Sequence, residues 1–149
     1  MKKILAFFAL FALFASAAFG ADIEVSGLYI KQTPPNSKTS AIFLVAKNNS
    51  DKDIDLLGAT SGLSDRIELH THIAKGKKMV MSKVDKITIK AGQSVELKPG
   101  SDHIMLFNIK EQVTKDSKIG VVLNFSNGES LNFAHIETRE VVKPSKKHK

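Results

Sequence analysis

The sequence contains no cysteine, and this absence removes several classes of protein at once. The chain forms no disulfides, so its hydrophobic core must hold itself together. No thiolate is available for redox chemistry or for binding a metal. A lipid-modified cysteine is excluded for the same reason. Every sulfur atom in the chain is therefore a methionine thioether.

Long hydrophobic runs are absent after the first twenty residues. Lys2 and Lys3 precede an apolar stretch at 4–14, and small residues then offer a cleavage site before Ala21. This pattern is typical of a secretory signal peptide. The stretch is shorter than the ~20 residues that span a bilayer. We therefore predict a cleaved signal peptide at 1–20, export from the cytoplasm and no stable membrane insertion.

The charge is basic but not concentrated. The net charge is +7, and removal of Lys2 and Lys3 leaves +5. The lysines are scattered, apart from a basic tail at 143–149 that we expect to be flexible, since chain ends often are. An exported protein with this distribution gives no reason to expect a nucleic-acid partner.

Helical periodicity is also absent, and short apolar segments alternate with turn residues at intervals of about ten residues. The pattern predicts an all-β sandwich or barrel in one domain, residues 21–142. Hairpin turns are predicted at Gly76 and Gly128, and late strands at 104–109, 119–125 and 131–136.

Residues that carry chemistry are concentrated between positions 68 and 107. Histidines and methionines stand there in pairs two positions apart, on predicted strands: His70, His72, Met79, Met81, His103 and Met105. Side chains at i and i+2 of a strand point to the same face. His103 and Met105 can therefore converge on one ion. A hairpin through Gly76 would bring the His70/His72 pair beside the Met79/Met81 pair.

Thioether sulfur is a soft ligand and imidazole is borderline, so this set favours Cu(I) over Mg²⁺, Ca²⁺ and Mn²⁺. Zinc sites use Cys, His and carboxylate rather than methionine. A thioether also needs no deprotonation before it binds. A lone strand methionine is usually core packing, and a lone histidine is usually a surface residue. It is the joint pattern that indicates a Cu(I) site, with ligands to be chosen among six donors.

The spacing resembles that of the PCuAC family of periplasmic copper chaperones, whose motif is a His, ten residues, a Met, twenty-one residues and then His-x-Met. Here ten residues separate His70 from Met81, and twenty-one separate Met81 from His103-Ile104-Met105. The resemblance covers most of residues 23–136.

The resemblance implies a cupredoxin-like Greek-key β-sandwich that binds one Cu(I) per chain through His70, Met81, His103 and Met105. It implies a periplasmic protein that delivers copper to an oxidase subunit, at the Cu(A) centre of cytochrome c oxidase, or to another copper chaperone. Some members carry a His- and Met-rich extension that binds Cu(II), whereas this tail has only His148 among lysines.

Other functions have less support. A blue-copper site needs a cysteine thiolate, and no catalytic arrangement stands out, so we do not expect an enzyme. A periplasmic copper-buffering or resistance protein would need the same ligands, and a non-metal β-sandwich interaction domain would need none. His72 and Met79 are extra donors, with ligand and structural roles both open. Glu68 and Asp102 are read as solubilising or supporting groups, and the ligands are expected near one rim of the sandwich.

Overall fold

The structure is a computed structural model and describes residues 21–142; the predicted signal peptide at 1–20 and the tail at 143–149 lie outside the described residues. Residues 21–142 contain no helix long and apolar enough to cross a membrane. They form strands only: β1 (Ile23–Lys31), β2 (Thr39–Asn48), β3 (Ile54–Thr60), β4 (Arg66–Lys75), β5 (Lys78–Val84), β6 (Ile87–Ile89), β7 (Ser94–Leu97), β8 (His103–Phe107), β9 (Val121–Phe125), β10 (Ser130–Phe133) and β11 (Glu137–Arg139).

The strands form two sheets. Sheet A has the order β11-β1-β2-β8-β4-β5, with β7 also paired to β2, and sheet B has the order β10-β9-β3-β6. Strands that are neighbours in a sheet are often distant in the chain, and all pairs are antiparallel except β1 with β11. The predicted cupredoxin-like Greek-key β-sandwich is confirmed.

Alternating side chains on the central strands of sheet A fix which face is buried. Leu69 on β4, Ile104 and Leu106 on β8 and Ile42 on β2 belong to one core cluster that includes residues of sheet B. Each buried Ile or Leu contributes about 1.5–3 kcal/mol relative to an exposed one. A shift of one residue in any of these strands would expose its whole apolar set. The core therefore holds the register, and the intervening residues must face outward.

Strands β4 and β5 form a hairpin that ends at Gly76 and Lys77. Gly76 has φ = +61°, a conformation that glycine adopts without steric cost. A glycine in the first position of a two-residue loop is the arrangement of a type II′ turn, whose twist matches that of the flanking strands. The hairpin predicted at Gly76 is confirmed, and so is the one between β9 and β10.

The predicted ends of the late strands are wrong in three places. Strand β8 ends at Phe107, since Asn108 has φ = +50° and leaves the extended conformation. Strand β9 begins at Val121, two residues later than predicted. The strand predicted at 131–136 ends at Phe133, where the chain leaves sheet B, and the next strand, β11 (Glu137–Arg139), pairs with β1 of sheet A.

Candidate metal centre

The four predicted ligands lie on three adjacent strands of sheet A. His70 on β4 is directly opposite His103 on β8, and Met105 on β8 is opposite Glu68 on β4. These residues alternate with the core residues of the same strands, so they share the outward face of the sheet. The donors lie on this face between the centre of sheet A and its β5 edge, with Met81 on the edge strand itself.

Met81 is held by the β4–β5 hairpin. Its direct cross-strand partner is His72, while the residue opposite His70 is Lys83. Met81 and His70 are thus diagonal neighbours, a separation of about 7–8 Å between backbone positions that long side chains bridge. The hairpin predicted to join the histidine and methionine pairs is confirmed, and its register makes His72 the closest histidine to Met81 along the ladder.

His103 presents one defined nitrogen to the outward face. Its Nδ1 lies 2.8 Å from the carbonyl oxygen of Ser101. A carbonyl only accepts hydrogen bonds, so Nδ1 carries the proton and Nε2 keeps its lone pair free. Burial lowers the pKa of His103, and the nearby His70 and His72 lower it further, against opposing contributions from the Ser101 carbonyl and Asp102. The residue is 5% exposed, so a neutral, metal-competent imidazole is held in one orientation.

His70 is oriented by a carboxylate instead. Its Nε2 lies 2.8 Å from Oε2 of Glu68, whose other oxygen accepts a hydrogen bond from Nε of Arg66 at 3.0 Å. The hydrogen bond to His70 lowers the pKa of Glu68 most, followed by that from Arg66. The carboxylate fixes the proton on Nε2, which leaves the lone pair on Nδ1.

The Nδ1 atom of His70 has no protein partner in the part of the chain that the structure describes. Within residues 21–142 it is the one buried side-chain nitrogen or oxygen without a hydrogen-bond partner. Most buried polar atoms in proteins are paired, so an orphan of this kind calls for a physical explanation. The His70 and His103 rings are 5.8 Å apart between centroids. A metal ion bound between the two rings would give Nδ1 the partner that it lacks.

An open pocket joins most of the donors. It is lined by His72, Met81, His103 and Met105, and Phe43 and Ala41 on β2 supply an apolar wall. His70 does not line this pocket but lies beside it, with its ring 5.8 Å from that of Phe107. The sequence pattern left both a ligand role and a structural role open for His72. The structure places its ring 5.5 Å from that of His103.

The extra methionine behaves differently from the extra histidine. Met79 is opposite Ala74 on the hairpin, is 65% exposed and does not line the pocket. Among the described residues no three His, Cys, Asp or Glu side chains come together closely enough to hold a metal. The thioethers of Met81 and Met105 line the pocket together with His72 and His103.

Two supporting groups could not be assigned from the sequence. The backbone carbonyl of Ser101 acts on His103, and Arg66, which lies over Phe107 at 4.3 Å, fixes Glu68. Glu68 was expected to be a supporting or solubilising group, and it contacts His70. Asp102 instead accepts a hydrogen bond from Thr71 and ties β4 to the segment before β8. The spacing Arg66-x-Glu68-x-His70 in the sequence is the pattern that could have indicated the contacts of Glu68 with Arg66 and His70.

Solved structures share this fold. A copper-bound PCuAC domain from PmoF2 superposes with a TM-score of 0.66 at 17% identity, over 79% of this chain and 94% of that one. The Cu(I) form of DR1885 from Deinococcus radiodurans gives 0.62 at 24% identity, over 87% of each chain. The apo form of DR1885 gives 0.61 at 26% identity, over 81% and 80%.

Sequence comparison identifies the family. Protein Lxx21020 of Leifsonia xyli subsp. xyli, which has lipoprotein in its name, is 32% identical over 107 residues. The match takes in 71% of this chain and 63% of that relative, so the chain spans less than two thirds of the relative's length. The model of the LpqE-like family matches residues 23–136. The chain belongs to the LpqE-like family.

Proposed function

We propose that this protein is a periplasmic copper chaperone that binds one Cu(I) through His70, Met81, His103 and Met105 and passes it to a recipient. The observation that carries the proposal is the pair of imidazoles on the outward face of sheet A. Each has one nitrogen engaged by a protein acceptor and the other free, at Nε2 of His103 and Nδ1 of His70. Metal-binding histidines are held in this way in known sites.

The donor chemistry supports copper in the reduced state. Two imidazoles and two thioethers form a soft set with no anionic ligand, which suits Cu(I) better than zinc or the hard divalent ions. The names of two structural neighbours, a copper-bound PCuAC domain and a Cu(I) form of DR1885, state that those proteins hold copper. They support copper as the ion for this fold, and the four ligands here are our assignment.

The unequal exposure of the donors supports transfer rather than storage. His103 is buried, whereas Met81 is 49% exposed on the hairpin. A recipient's ligand can therefore displace Met81 first while His103 still holds the ion. The pocket has a volume of about 540 Å³, which leaves room for side chains of a recipient beside one ion. We propose delivery to the Cu(A) centre of cytochrome c oxidase as the destination, on the strength of the motif.

His72 is proposed as a transient ligand, because it lines the pocket opposite Met81. Met79 is given no place in the resting site. The predicted signal peptide at 1–20 and the lipoprotein names in the family both favour a place outside the cytoplasm, with the domain at 21–142 acting as the copper-binding unit. A buffering protein would hold copper equally well, and transfer to an acceptor distinguishes the two roles.

Competition titration against a Cu(I) chromophore tests the site. We expect one equivalent of Cu(I) per chain, and a loss of affinity of at least about 100-fold in the double variant Met81→Ala, His103→Ala, since even the groups that orient ligands are worth about 10–100-fold. The matched control is Met79→Ala with His135→Ala, which removes the same residue types elsewhere and should leave the affinity unchanged. An unaltered affinity in the first variant would exclude this ligand set.

A further inference from the structure

The edge of sheet A nearest the candidate site is apolar and basic, and no strand within residues 21–142 pairs with it. Strand β5 is the last strand of the sheet among the described residues. Six large hydrophobic side chains are exposed in residues 21–142, and four of them lie on the β4–β5 hairpin: Ile73, Met79, Val80 and Met81. Soluble proteins usually protect such an edge, and contiguous exposed apolar side chains indicate an interaction surface.

The outer part of the β4–β5 hairpin, residues 73–83, carries charge of one sign. Residues 73–83 include four lysines and no acidic residue. Lys75, Lys77 and Lys78 stand at its end, and none of them lies within ion-pair distance of an acidic side chain in residues 21–142. Lysines on an edge strand discourage pairing with a second copy of the same chain, since like charges would meet. They favour a partner of opposite charge.

The backbone of β5 is available for pairing. Lys75 and Lys78 flank the two-residue loop, so they form a hydrogen-bonded pair, and pairing alternates from there. The N–H and C=O groups of Met79 and Met81 consequently point away from β4, toward the open edge. An added strand would bond to these groups. The residue paired with Met81 would have its Cβ about 4.5–5.5 Å away, on the face that carries the copper ligands.

The apolar side chains are divided between two faces. Met79 and Met81 share the outward face, and Ile73 and Val80 share the opposite one. A lipid surface would meet one face of the hairpin, whereas a strand added at the edge extends both. The division therefore favours a protein segment over a membrane.

We propose that β5 is a docking edge for an extended, acidic segment of a copper-accepting protein, which adds to sheet A as a further strand. The residue of that segment beside Met81 is a methionine or histidine, and it receives copper as Met81 releases it. The docking step needs no metal. The transfer step rests on the proposed function.

The experiment uses a short synthetic peptide that alternates valine and threonine, with a central methionine and glutamates at the end that meets the lysines. Binding to the full metal-free chain is measured by fluorescence anisotropy, and its location by amide chemical shifts. We expect shifts concentrated on Met79, Met81 and Lys83, and affinity that falls as salt is added. A peptide with lysines in place of the glutamates should not bind.

Charge reversal tests the basic end. Lys75→Glu with Lys78→Glu should weaken binding of the acidic peptide by at least about tenfold and allow the lysine peptide to bind. Lys115→Glu with Lys118→Glu makes the same change of net charge on exposed residues of the β8–β9 connection, and should have no effect. Equal losses in both pairs would show nonspecific attraction and overturn the proposal.

Proline tests the backbone. Met79→Pro removes an N–H that points to the open edge and should weaken binding about threefold to tenfold, the value of roughly one hydrogen bond. Met79→Leu should bind normally. Tighter binding to anionic vesicles than to the peptide, or self-association through β5 in sedimentation, would also overturn the docking edge.

Copper loading separates this inference from the proposed function. A peptide with leucine in place of methionine should dock but take no Cu(I) from the loaded protein. Docking without Cu(I) binding by the protein would refute the chaperone and leave the docking edge standing. Cu(I) binding without docking would refute the edge alone.

Discussion

Two arginines of sheet A make the same kind of ion pair on different strands, and only one pair touches a histidine. On β4, Arg66 donates to Glu68 through Nε alone, at 3.0 Å. On β11, Arg139 donates to Glu137 through Nε and Nη2, both at 2.8 Å. Both carboxylate oxygens of Glu137 therefore accept hydrogen bonds from Arg139, whereas one oxygen of Glu68 accepts from His70.

The packing of the two arginines is also alike. The guanidinium of Arg66 lies over Phe107 at 4.3 Å, and that of Arg139 lies over Tyr29 at 4.5 Å. Such stacking restrains the planar guanidinium. The difference between the β4 pair and the β11 pair is thus confined to the free carboxylate oxygen and the histidine beyond it. An ordinary ion pair can orient a histidine, here the proposed ligand His70, when the histidine stands two residues further on the same face.

Replacing the glutamates should give the largest difference in Cu(I) affinity between the β4 pair and the β11 pair. Glu68→Ala is expected to lower Cu(I) affinity about 10–100-fold, because His70 loses the acceptor that fixes its proton on Nε2. Glu68→Gln keeps an acceptor oxygen and should fall between this variant and the wild type. Glu137→Ala is the matched control and should bind as the wild type does. Chromophore competition measures all three, and equal affinities would remove Glu68 from the site.

Removing the arginines should give a smaller difference. Arg66→Gln is expected to lower Cu(I) affinity about threefold to tenfold, since Arg66 acts one hydrogen bond further from the ligand than Glu68 does. Arg139→Gln should leave the affinity unchanged. Cu(I) titration at matched ionic strength makes the comparison. A loss from Arg139→Gln as large as that from Arg66→Gln would point to net charge and contradict the hydrogen-bond chain.

The two ion pairs should make nearly equal pH-dependent contributions to the free energy of unfolding. Hydrogen bonds, from His70 to Glu68 and from Arg139 to Glu137, lower the pKa of each carboxyl below its ordinary 4.5. The unfolded chain then takes up protons before the folded one as the pH falls. The stability contributed is full above about pH 4.5 and is lost as the pH falls through the folded pKa.

Urea unfolding of the apo protein across this acidic range measures the effect. Glu68→Gln and Glu137→Gln should each flatten the decline of the free energy of unfolding with falling pH, by similar small amounts. This result would show that the two pairs contribute alike to folding stability and differ only in their effect on Cu(I) affinity. A flattening in only one of the two variants would contradict the expected similarity of the two pairs.

Much of the fold followed from alternation and turn residues. Leu69, Ile104 and Leu106 alternate with the donor residues, so a period of two predicts both the core face and the donor face. The ends of strands were predicted less well. The ends of β8 before Asn108 and of β10 at Phe133 depend on where the chain must turn or change sheet, and no local pattern specifies these points.

The sequence by itself determined that donors would be soft, that they would alternate with core residues, and that spacing would place them on three strands. These are local properties of residue type and of the pleat. The tertiary structure decided that His70 faces His103 while Met81 faces His72, and that Glu68 and Ser101 choose which nitrogen of each histidine is free. The first outcome depends on pairing between two strands that are distant in the chain, β4 and β8, and the others depend on hairpin register and side-chain geometry that residue type alone does not specify.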